Sequence, residues 1–84
     1  VNYPNVLLGE IEGKTRLVIL AKNDDEMTLK IDHALGAIED SIIASVSKVR
    51  NAYVVFAYDL EIEIDHTIID SISMIPGVLK VRTI

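Results

Sequence analysis

Cysteine and tryptophan are absent from this 84-residue chain. Without cysteine there is no disulfide, no thiolate nucleophile and no zinc site of the Cys type, a composition that fits a reducing cytoplasmic setting. Positive charge is in short supply: 8 Lys and Arg stand against 13 Asp and Glu, a formal net charge of -5. A negative field repels a phosphate backbone unless a local basic stripe overcomes it. Lys14, Arg16, Lys22, Lys30, Lys48, Arg50, Lys80 and Arg82 are scattered along the sequence with no such stripe, so nucleic acid is not an expected partner. No apolar run approaches the roughly 20 residues that span a bilayer, and no membrane association is expected.

Half of the residues are apolar, which excludes intrinsic disorder. The length allows one domain with one modest core, and surfaces of a partner are expected to supply part of its stability. The chain starts at Val1, and too few apolar residues follow for a signal peptide, which predicts a processed or excised C-terminal piece of a longer protein.

Residues 1–14 hold Pro4, Gly9 and Gly13 without a sustained period and read as a connecting arm, with a short extended run at 5–8. The β-branched and aliphatic run at 15–22 predicts a buried strand, ended by Asn23, Asp24 and Asp25, any of which can cap the helix that follows. In that helix Met27, Ile31, Ala34, Leu35 and Ile38 share one face. Residues 42–48 alternate imperfectly, with Ile42, Ala44 and Val46 expected on one side and Ile43, Ser45 and Ser47 on the other. A hairpin connection at 49–52 leads to a strong strand at 53–60. A second helix is expected to start between Glu63 and His66, with Glu61, Glu63 and Asp65 at its positive end, and to stop near Met74, before Pro76 and Gly77. Residues 78–84 form the last strand.

This order predicts an α+β fold: a ferredoxin-like βαββαβ sandwich, with an antiparallel four-stranded sheet and two helices on one face. Its second face and its edges need cover, and a second copy commonly provides it, so a dimer is expected.

Few residues suggest chemistry. Asp24, Asp25 and Glu26 cluster carboxylates, but hard cations want six or more oxygens in a defined loop, and helix capping accounts for them. His33 and His66 have no Cys, His or nucleophile at ligand or dyad spacing and read as solvated, so neither a metal site nor a catalytic residue is expected. Tyr53, Phe56 and Tyr58 mimic the stacking platform of an RNA-binding sheet of the same element order, yet the acidic balance assigns them to core and interface. The same fold supports acylphosphatases, which need an arginine in a glycine-rich loop after the first strand; the loop Asn23-Asp24-Asp25 has neither.

Several segments resemble the C-terminal ACT domain of D-3-phosphoglycerate dehydrogenases. Val1-Asn2-Tyr3-Pro4-Asn5-Val6 looks like the family's V-N-[FY]-P-x-V junction, Thr15-Arg16-Leu17 like the start of its first strand, Tyr53-Val54-Val55 like its third strand, and residues 75–82, Ile-Pro-Gly-Val-Leu-Lys-Val-Arg, like its I-P-G-[VT]-[IL]-x-[VA]-R ending. The Pro-Gly ending also occurs in effector-binding domains of transcription regulators, which makes a free-standing effector domain an alternative.

The resemblance implies an arm over 1–14 leading from an upstream dehydrogenase body and an ACT domain over 15–84. It implies NAD as cofactor of the parent enzyme and none in this domain, and homodimeric pairing of ACT copies in a cytoplasmic enzyme of serine biosynthesis. It places an effector site for L-serine or another amino acid at Asn23, Asp24, Asp25, Glu26 and Met27, facing Ser41 at the start of the second strand of the neighbour. Helix amides there would attract the ligand's carboxylate. The family's N-x-P-G-V turn is here Asn23-Asp24-Asp25-Glu26-Met27, without Pro or Gly, and Ala21 stands where serine-sensitive members can carry a histidine. At about 4 Å each added acid costs a bound carboxylate on the order of 1 to 4 kcal/mol. Two roles follow: an allosteric amino-acid sensor, or an assembly module whose ligand turn has degenerated.

Overall fold

The structure, a computed structural model, describes residues 13–84. The element order is β1 (Thr15–Lys22), α1 (Met27–Ala34), a 3-10 segment (Gly36–Ser41), β2 (Ile42–Arg50), β3 (Tyr53–Leu60), α2 (His66–Ser73) and β4 (Val78–Thr83). The four strands form one antiparallel sheet in the order β2-β3-β1-β4, with β1 and β3 central, as the βαββαβ order predicts. The expected arm falls outside the described residues except for Gly13 and Lys14; the Lys14 amide donates to the Leu60 carbonyl at 2.8 Å.

The main core lies between helices and sheet. Alternation along β1 and β3 turns Leu17, Ile19, Ala21, Val54, Phe56, Tyr58 and Leu60 toward the helices, where they meet Met27, Ile31, Leu35 and Ile38 from the first helical stretch and Ile72 from α2. The helical face read from the sequence is therefore buried as expected, but regular α-helix stops at Ala34. Gly36 is a poor helix former, and the chain tightens into the 3-10 turn while Ile38 still reaches the core. At α2 the Asp65 carboxylate accepts the Thr67 amide at 3.0 Å, a capping bond that fixes the helix start within the expected window.

One sequence expectation is corrected. A β-bulge between Ile42 and Ala44 leaves Ile42 opposite Leu60 on the helix side and sets Ala44 opposite Asp59 on the other. Ile42 thus packs with the main core while Val46 joins the opposite face, and Ser45 and Ser47 look toward the helix side. The β2–β3 hairpin closes through Asn51 at φ 57, a left-handed conformation that asparagine tolerates.

Candidate functional site

The turn from β1 into α1 is anchored from three directions. The Asn23 amide donates to the Ala52 carbonyl of the hairpin at 2.8 Å, and the Lys22 amide donates to the Gly77 carbonyl at 2.8 Å. Gly77 has φ +95, and a Cβ there would lie 2.7 Å from Met27 Cε, so the Ile-Pro-Gly segment seats the buried Met27 and with it the start of α1. In the sequence Gly77 marks a helix stop and part of the ending motif; its contact with Met27 spans fifty positions and needs the pairing of β1 with β4 to be seen.

Inside the turn, Asp24 acts on its own helix. Its Oδ1 accepts the Glu26 amide at 2.7 Å, and its carbonyl accepts the Met27 amide at 3.2 Å. An amide at the head of α1 that could meet a ligand's carboxylate is thus already taken by an internal one. Asn23, Asp24, Asp25 and Glu26 are exposed, Met27 is buried, and Lys30 Nζ stands 3.9 Å from the Glu26 carboxylate. The surface offered to solvent here is acidic, and no side chain caps α1 itself.

Ser41 lies at the other end of the sheet. Its carbonyl accepts the Glu61 amide beside Leu60, which pairs with Thr15, whereas Asn23 follows Lys22. Seven steps along β1 separate those ends, about 23 Å at the usual rise per residue. Within one chain the structure does not bring Ser41 to the turn. Among the described residues no three His, Asp or Glu side chains gather as a metal-holding group, and no helix is long and apolar enough to cross a membrane.

The fold also collects what the linear sequence scatters. Strand alternation places Arg16, Lys22, Lys48, Arg50, Lys80 and Arg82 on the sheet face opposite the helices, where they surround a small buried cluster of Val18, Val55 and Ala57. Asp59 is the one described acid in a strand. It is fully buried and held by Arg16, with Nε to Oδ1 at 2.7 Å and an Nη2 bond to Oδ2 at 3.0 Å. The expectation of scattered cations is thereby revised: a basic frame exists, but it encloses aliphatic side chains, with Tyr53 at its hairpin end as its one aromatic.

No protein-family model and no curated protein sequence matches the chain. Solved structures do. The crystal structure of the ACT domain from GTP pyrophosphokinase of Chlorobium tepidum superposes with a TM-score of 0.71 at 15% identity, covering 83% of this chain and 95% of that one. The solution structure of the same domain gives 0.67 at 14%, covering 83% of each. An uncharacterized protein, TM1266 from Thermotoga maritima, gives 0.62 at 20%, covering 83% of this chain and 91% of its own. At these identities the likeness establishes the fold, a ferredoxin-like sandwich of the ACT type.

Proposed function

We propose that the chain is a non-catalytic assembly domain of ACT type, which pairs with a second copy through the β2 edge of the described sheet and forms part of a D-3-phosphoglycerate dehydrogenase. The observation that carries the assembly reading is the Asp24 carboxylate on the Glu26 amide, with Asp25 and Glu26 exposed beside it. A turn whose Glu26 amide is already taken from within, and which is ringed by further acids, is a poor receptor for an amino acid's carboxylate. The parent assignment rests on the junction and ending motifs; in this reading NAD and the catalytic residues belong to the rest of the enzyme.

Edge pairing is supported by the topology. β2 is the longest strand, lies at one edge, and exposes Ile43 and Val49. An antiparallel β2–β2 contact about a two-fold axis would carry Ser41 of a second copy to the hairpin end, next to the Ala52 carbonyl that holds Asn23. That juxtaposition favours a second reading, in which the paired domain senses L-serine through Asn23 and Ser41 despite the acidic turn.

Titration of L-serine into the isotope-labelled chain, with D-serine as control and backbone amide shifts as readout, separates the two. The assembly reading expects no stereospecific shift at residues 23–27 or at Ser41 up to millimolar ligand with the dimer intact. Saturable shifts there with L-serine alone would replace it with the sensor.

A further inference from the structure

The geometry points to a second ligand site, unrelated to the β1–α1 turn: the cleft between α1 and β2 is shaped to take a small primary-ammonium compound. Helix α1 buries Met27 and Ile31 over the two central strands and leaves β2 uncovered on the helix side. Thr28 and Asp32, one helical turn apart, form one wall. The bulge at Ile43 sets Ser45 and Ser47 on the facing strand, cross-strand from Tyr58 and Phe56, whose rings stack at 6.4 Å and 8° to make an apolar floor. The cleft is an open groove of about 310 Å³.

The chemistry of the lining selects the ligand. Among the described residues Asp32 is its only charged side chain, and no Lys, Arg or His lines it, so an anion is repelled. One carboxylate is too few oxygens for a hard metal ion. An R–NH3+ group carries three donors and meets one carboxylate and the hydroxyl oxygens of Thr28, Ser45 and Ser47, which suits it better than a donor-free quaternary ammonium. Asp32 acts electrostatically on Tyr58 as well, whose pKa is pushed up to about 12 by burial first and by this carboxylate second. The phenol therefore stays neutral and adds no competing charge. This inference does not depend on pairing, since one chain supplies every group.

The test is a titration of ethylammonium chloride into the labelled chain, with sodium chloride and tetramethylammonium chloride as controls. The expected result is saturable amide shifts at Thr28, Asp32, Ser45 and Ser47 with half-saturation on the order of millimolar, as for a few solvent-exposed polar contacts. Half-saturation should rise at least tenfold in Asp32→Asn, an exposed position on α1 whose replacement keeps the fold, and less in Ser47→Ala. Shifts that do not saturate, that appear equally with tetramethylammonium, or that persist unaltered in Asp32→Asn would overturn the assignment.

Discussion

On the side of the sheet that carries the helices, Leu17, Ile19 and Ala21 of β1 lie beside Val54, Phe56, Tyr58 and Leu60 of β3. On the opposite side the same two strands present Arg16, Val18 and Leu20 against Val55, Ala57 and Asp59. The first face is held by interdigitated apolar volume. The second combines a small aliphatic cluster with one buried ion pair and a frame of cations. The lesson concerns failure. A packing face loses stability in proportion to the volume removed, whereas a buried pair is fragile to loss of one partner and tolerant of losing both.

The largest expected effect follows from that contrast. Asp59→Ala leaves Arg16 partly buried without its bidentate carboxylate and should cost about 3 to 5 kcal/mol, enough to unfold much of a domain this small. The combined Arg16→Met, Asp59→Leu chain should recover most of that loss in urea unfolding. If the double variant were as unstable as the single one, the second face would depend on the charges themselves. On the helix face Ile31→Ala, at a fully buried position, should cost about 2 to 5 kcal/mol and have no rescuing partner of this kind.

A smaller effect is set by pH. Tyr58 has a folded pKa of about 12 against 10.0 for the free side chain, so the fold favours the protonated phenol. Its contribution is complete below pH 10 and is lost as pH rises from 10 toward 12. Tyr58→Phe should flatten that alkaline decline without removing the apolar floor of the cleft. An unchanged decline in the variant would assign it to other groups.

Much of the fold was legible because its signals are local. The β-branched run at 15–22 and the aromatic run at 53–60 reappear as β1 and β3 with those limits, and Asp65 caps α2 where clustered acids pointed. Two features were hidden by uniform chemistry. Ile42-Ile43-Ala44 is apolar throughout, so nothing in it marks the bulge that reverses the facing of β2; and the period through Leu35 to Ile38 is the same whether the helix continues or tightens. The basic frame was illegible for another reason: its residues fall in pairs far apart in sequence and meet only through the strand order. The same holds for Gly77 beside Met27. At the candidate turn the acids were visible, while the bond from Asp24 to the Glu26 amide, on which the functional reading turns, required coordinates.

The central claim is assembly through the β2 edge, and sedimentation equilibrium of the chain tests it most directly, alongside a variant carrying Ile43→Lys and Val49→Lys. The account predicts a reversible dimer for the parent chain and a folded monomer for the variant, since both side chains are exposed and contribute little to the core. A parent chain that stays monomeric at high concentration, or a variant that dimerises equally well, would contradict it.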